Sequence, residues 1–241
     1  MSDRLTRFLG GSTILIVAPH ADDESIGCAG LALRAKAAGA RVYLLVVSVG
    51  NLVRVQTDAT LTTSSTRREE LAAAARVLGA DDWELLFEDE HRHLRLDEMP
   101  RRDLTAWVER DARLSIERVR PDVVLLPALS YNQDHEAVLR AGLVACRPHD
   151  PAAKCVPSQV WLYEYPPLSW NLPHEHFTPN VYIDISGCLD QKLDAYRCHA
   201  SQVRAGVHQN SLQNVADLAR IRGKEIGVEA AEAYQALRIH L

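Results

Sequence analysis

Two short segments carry the residue types of a hydrolytic metal site. Pro19-His20-Ala21-Asp22-Asp23-Glu24 packs an imidazole and three carboxylates into six residues, and Asn132-Gln133-Asp134-His135 adds a second imidazole beside another carboxylate. Two histidines and one carboxylate, with a fourth position left for water, form a common catalytic zinc set. His20, Asp23 and His135 are therefore the candidate ligands. Asp22 adjoins a ligand and cannot easily share its geometry, so it is the candidate general base toward the metal's water. Asp134 is a candidate to hydrogen-bond a neighbouring imidazole and fix its orientation. Each segment taken alone also reads as a loop cap or a surface ion pair. A magnesium phosphotransfer site on Asp22-Asp23-Glu24 is a rival, but magnesium prefers oxygen ligands, and a histidine in each segment disfavours it.

The two segments belong together only if the fold brings them together. Residues 13–18 (TILIVA), 41–48 (RVYLLVVS) and 122–127 (DVVLLP) read as buried strands, because short apolar β-branched runs end at turn residues, and 83–87 reads as a short strand, third in order along the chain. Helices are expected at 24–38, at 66–79 behind a Thr66…Glu69 capping box, at 101–119 and at 134–146. Residues 49–65 read as a long polar loop. Strand and helix thus alternate, which implies an α/β, Rossmann-like, mostly parallel sheet with helices on both faces. With strand order 3-2-1-4, the crevice beyond the carboxyl ends of strands one and four is the ligand position, and both segments leave those strands. Later strands are expected at 159–163 and 181–185, and helices at 189–204, 214–223 and 228–237. Trp161, Tyr163 and Tyr165 alternate as one face of a strand.

Composition narrows the classes. The chain has 241 residues, 27 basic against 32 acidic, a net charge of −5, and 47% hydrophobic residues. That reads as one soluble domain over residues 1–241, without the basic footprint of a nucleic-acid binder. No apolar run approaches the ~18 residues of a membrane span, and MSDRLTRFLGGS does not read as a secretory signal. Five cysteines without a C-x-x-C pair argue against a disulfide framework and fit a reducing cytosol. The first loop lacks the G-x-G-x-x-G of a dinucleotide site, and its carboxylates would repel a phosphate. Homo-oligomerisation stays open.

The segment from Pro19 to Glu24, followed by Gly27-Cys28-Ala29-Gly30, resembles the signature of the PIG-L/LmbE-like zinc N-deacetylases. Arg67-Arg68-Glu69-Glu70-Leu71 is similar to that family's R-x-x-E-L helix, Pro121-Asp122-Val123-Val124 to its P-D-V-V strand, and Asp134-His135 to the end of its H-x-D-H motif. Lys192 to Gln202 (KLDAYRCHASQ) is similar to its late K-x-x-A…H-x-S-Q helix. The resemblance implies a Zn²⁺-dependent amidase acting on an N-acetylated aminosugar, a GlcNAc-containing small molecule or glycoconjugate, with release of acetate. It implies His20, Asp23 and His135 as ligands, Asp22 as base, Arg67 facing substrate, and His199 behind the site. A larger N-acyl group, or a sugar-binding homologue with impaired catalysis, are the alternatives.

The chain departs from that pattern at Asn132, where the family has a histidine that helps stabilise the oxyanion. Asn132 would supply a neutral donor there, unless His174, His176 or His199 has moved into the role. His91 and His93 follow the third strand and are expected in a solvated loop. His174 and His176 lie in a Pro-rich loop, where a substrate wall is the less favoured of the readings.

Overall fold

The computed structural model describes residues 4–53, 61–166 and 176–240. The elements run α1 (Arg4–Leu9), β1 (Thr13–His20), α2 (Asp23–Ala37), β2 (Arg41–Val49), β3 (Leu52–Val53), β4 (Leu61–Thr62), α3 (Ser64–Leu78), β5 (Asp82–Glu88), α4 (Arg101–Ala106), α5 (Ile116–Val119), β6 (Val123–Pro127), α6 (Gln133–Ala145), β7 (Gln159–Tyr163), β8 (Val181–Asp184), α7 (Leu189–Cys198), α8 (Leu212–Ile226) and β9 (Ala231–Ile239). Seven strands form one sheet in the order β5-β2-β1-β6-β7-β9-β8. The run from β5 to β7 is parallel, and β9 is antiparallel to both its neighbours. The four expected leading strands lie in the expected order, with β1 and β6 adjacent at the centre.

Alternation along the central strands builds two cores. Ile14, Ile16 and Leu44 pack with α2, α7 and α8 on one face, through Leu31, Tyr196 and Val215. Leu15, Val17, Leu45 and Val47 pack with α4 and α6 on the other, through Leu104 and Val138. Each such fully buried aliphatic side chain contributes about 1.5–3 kcal/mol. Among the described residues, no helix is long and apolar enough to cross a membrane.

Several expected elements are corrected. Residues 231–239 form a strand rather than a helix. Its Ala-rich sequence favours a helix, but tertiary pairing wins. β9 bonds to strands on both sides, Tyr234 packs on Trp161, and Glu232 accepts the Gly30 and Leu31 N–H groups at 2.7 Å. The helix expected at 101–119 breaks into α4, a wide turn at Trp107–Asp111, and α5. Glu84 takes the Arg113 and Leu114 N–H groups that an unbroken helix would use itself. α3 opens earlier than the Thr66…Glu69 box; its cap is Thr63, whose hydroxyl accepts from Thr66 N at 3.1 Å. The expected 49–65 loop holds the antiparallel pair β3–β4 at its ends, and residues 54–60 lie outside the described residues. α7 stops at Cys198, where the chain turns to bury His199.

Candidate active site

The site forms where β1 and β6 end side by side. His20 is the last residue of β1, and Asp23 the first of α2. The turn between them is tight. Asp22 sits at φ 152°, in a region where a non-glycine residue is strained by about 1–3 kcal/mol. Two bonds hold it there: His20 N donates to Asp23 Oδ2 at 2.9 Å, and Asp22 N donates to Glu24 Oε2 at 3.1 Å. Across the cleft, Asn132 caps α6 by accepting from Asp134 N at 2.9 Å, which aims Asp134 and His135 inward.

His20, Asp23 and His135 each bring a ligand atom within 4.8 Å of one another, all three buried. Asp23 Oδ2 is 3.3 Å from His135 Nε2 and 3.5 Å from His20 Nδ1. Asp23 Oδ1 is buried with no hydrogen-bond partner among the described residues. Converging imidazole nitrogens and a carboxylate oxygen with an idle lone pair fit a divalent cation. His20, His93 and Asp134 meet the same spacing. There, however, Asp134 already accepts three hydrogen bonds, and the Arg67 guanidinium lies 2.8 Å from His93 Nε2, where a cation would be repelled.

Electrostatics separates the two adjacent aspartates. Burial alone would raise Asp23, but His135 and His20 outweigh it and hold its carboxyl well below the usual range. Burial, and then repulsion from Asp23, pushes Asp22 up to about 7, against the pull of Arg67, His199 and His20. Burial lowers His20, but its hydrogen bonds to Asp134 and Asp23 prevail and raise it to about 9. His20 Nε2–H donates to Asp134 Oδ2 at 2.9 Å. His199 Nε2–H donates to Glu24 Oε1 at 2.7 Å, both fully buried, so His199 stands behind the Asp22 turn. Arg67 reaches in from the first turn of α3 and is 2% exposed.

The family model described as PIG-L: GlcNAc-PI de-N-acetylase matches residues 15–146, a span holding every residue from His20 to His135. The chain belongs to this family. It is a hydrolytic N-deacetylase. Similar sequences include the uncharacterized deacetylase YaiS of Escherichia coli strain K12, 28% identical over 166 residues, 68% of this chain and 84% of that one. A diacetylchitobiose deacetylase of Thermococcus kodakarensis is 28% identical over 233 residues, 91% of this chain and 80% of its own. The crystal structure of a conserved protein from Thermus thermophilus shares the fold, with a TM-score of 0.72 at 25% identity over 95% of this chain and 96% of the other.

Three features of this deacetylase were not anticipated. His93, expected in solvent, is buried 5.1 Å from the His20 ring, between Ser48 and Arg67. The rule that placed the first two loops also finds it, since His93 follows β5 beyond the same sheet edge. Tyr165 lies past the end of β7, not on its face, and its ring stands 4.9 Å from His135 with its hydroxyl on Asn210. Glu24, a carboxylate of the first motif without an expected role, anchors Asp22 and His199 together. His91 and His176 are exposed, and His174 lies outside the described residues.

Proposed function

We propose that this enzyme is a Zn²⁺-dependent deacetylase of an N-acetylated aminosugar, acting as a single domain over residues 1–241 in the cytosol. The observation that carries the reading is the convergence of His20, Asp23 and His135 beside an Asp22 carboxyl poised near neutrality. The aminosugar substrate is supported by the diacetylchitobiose deacetylase, which matches most of the chain. Five free cysteines among the described residues support a reducing compartment.

His20, Asp23 and His135 would hold the zinc. When bound, it would supply Lewis-acid polarisation of the acetamide carbonyl and lower the pKa of a water to about 7. Asp22 accepts the proton of the attacking water. Burial raises the Asp22 carboxyl above the ordinary carboxylate range, and a carboxyl raised in this way takes and returns a proton at smaller cost, so the same group then protonates the leaving amine. The strained backbone at Asp22, pinned by Glu24, keeps the carboxylate from turning away. Asp134 holds His20 in one tautomer, with Nε2 protonated and Nδ1 free for the metal. Asn132 spends its carbonyl oxygen on the helix cap, so its N–H₂ end is the neutral donor for the developing oxyanion. Arg67 contacts the substrate beside Asp22.

Acetate release from N,N'-diacetylchitobiose, N-acetylglucosamine and longer N-acyl glucosamines, with and without chelator, tests the reading. Chelator-sensitive release of acetate is expected. Turnover unaffected by complete removal of divalent metal would overturn it.

A further inference from the structure

A chain of hydrogen bonds with only one possible direction runs from β1 to Arg67. Ser48, at the end of β2, donates its hydroxyl to the Pro19 carbonyl at 3.5 Å. Its Oγ lies 3.1 Å from His93 Nδ1, and His93 Nε2 lies 2.8 Å from Arg67 Nη1. A guanidinium has donors and no acceptor. His93 Nε2 must therefore be the unprotonated acceptor, and the ring proton sits on Nδ1, donated to Ser48. We infer that His93 is a positioning residue for Arg67: as the neutral Nδ1–H tautomer it holds the guanidinium at the candidate site, with Arg67 as the substrate-contacting cation.

The surroundings are built for this ring. Gly50 lies against it; a Cβ there would stand 2.8 Å from His93 Cβ and 2.9 Å from its Cδ2, so the ring would have to shift. The following residues are fixed too, because Leu94 N and Leu96 N both donate to Asp134 at 2.9 Å. Arg67 is held on one side by His93 and, through a longer 3.5 Å contact of Nη2, by the Ala21 carbonyl. Its Nε is buried without a partner among the described residues, and Asp22 is the strongest charged neighbour drawing on it. A buried donor left idle on an anchored guanidinium is a group waiting for an acceptor. A hydroxyl, carbonyl or carboxylate oxygen of the substrate meets that chemistry. A neutral acceptor suits the anchor better than a carboxylate would, since it leaves the guanidinium's full charge for the substrate.

This inference rests on the functional reading above, and the experiment separates the two. His93→Leu and His93→Gln are prepared with zinc loaded and assayed for acetate release from N,N'-diacetylchitobiose. His93→Leu removes the acceptor and should lower kcat/KM about tenfold to a hundredfold, mainly through KM, as loss of a charged hydrogen bond does. His93→Gln can present Oε1 to Arg67 and should recover most of the loss. Zinc content should match wild type in both. The double variant His93→Leu/Arg67→Ala should be no worse than Arg67→Ala alone. Equal kinetics in His93→Leu and wild type, or additive losses in the double variant, would overturn the assignment. The ring tautomer is read separately, from ¹⁵N-histidine spectra of wild type. A protonated Nε2 overturns the inference whatever the assay shows. Absence of turnover on every N-acetylated aminosugar, with Nδ1 protonated in wild type and that preference lost in Arg67→Ala, would sink the functional reading and leave the anchor standing.

Discussion

Asp134 accepts from His20 Nε2 at 2.9 Å while its two oxygens also take the N–H groups of Leu94 and Leu96. One fully buried carboxylate thus fixes both the tautomer of a candidate ligand and the loop that carries His93. The charge on Asp134 matters less for binding a cation directly than for locking which nitrogen of His20 faces Asp23. Removing such a partner behind a ligating histidine typically weakens metal binding 10–100-fold. Asp134→Ala should therefore lower zinc affinity by about that factor, read by competition with a chromophoric chelator. Unchanged affinity would show that His20 is oriented by other means.

Metal loading should release a proton. Without a cation, His20 is raised to about 9 and is charged at neutral pH, whereas a ligating imidazole must be neutral. Asp23 is already ionised and has nothing to give. Between about pH 7 and 9 zinc affinity should rise roughly tenfold per pH unit from this group, levelling off above it. Calorimetry in buffers of different ionisation enthalpy counts the protons directly. No release at pH 7 would mean that His20 is neutral before the metal arrives.

The adjacent aspartates should separate cleanly. Asp23→Ala should lose zinc and turnover together, whereas Asp22→Asn should keep zinc and lose most turnover. Asp22 also marks the metal-free protein. Its folded pKa of about 7 lies above the ordinary 3.8, so its contribution to stability is present below about pH 4 and is lost as pH rises through 7. An amide does not ionise. Stripped of metal, Asp22→Asn should melt above wild type at pH 8, and the gap should close near pH 4. A gap that is independent of pH would contradict the buried, strained carboxyl.

What could be read in the residues was local and periodic. The runs at residues 13–18 and 41–48 are apolar enough that only a sheet covered on both faces suits them, and the β1–β6 crevice follows from strand order. His20 ends β1, Asp22 and Asp23 follow it into α2, and His135 lies in the first turn of α6 beyond β6, so the strand order brings the four to one crevice. Two of the failures share one physical cause. Residues 228–237 have helical composition, and only partners on both sides, β7 and β8, make them a strand. His93 looks like any loop histidine until Ser48, Gly50 and Arg67 close round it. Both depend on contacts more than 25 positions away, which no window of sequence contains.

The glycines of α2 illustrate the same point and yield a stability test. A Cβ on Gly30 would stand 2.4 Å from Ile185 Cγ2 and 2.9 Å from Glu232 Cδ. Glu232 is in turn bonded to Lys192, so the helix can approach β9 only at a residue without a side chain. Overpacking a well-packed core costs about 1–3 kcal/mol. Gly30→Ala should lose that much in denaturant unfolding, while the folded fraction keeps its zinc and its KM. Wild-type stability would mean that α2 can shift outward freely.

Asn132 has two jobs to separate. Its Oδ1 caps α6, worth about 1 kcal/mol, and its N–H₂ is the proposed oxyanion donor, worth about 10²–10³ in rate. Asn132→Ala removes both. Asn132→Asp keeps an acceptor for Asp134 N and replaces the donor with a carboxylate, whose charge also opposes an oxyanion. Both variants should therefore lose turnover by that order with zinc retained, but only Asn132→Ala should lose stability. Because an amide has no proton to shed near neutrality, wild-type turnover should show no alkaline fall from this group. Were Asn132→Ala to lose stability and keep its rate, Asn132 would be a cap alone, and the donor would be sought at Arg67, whose buried Nε has no other partner among the described residues.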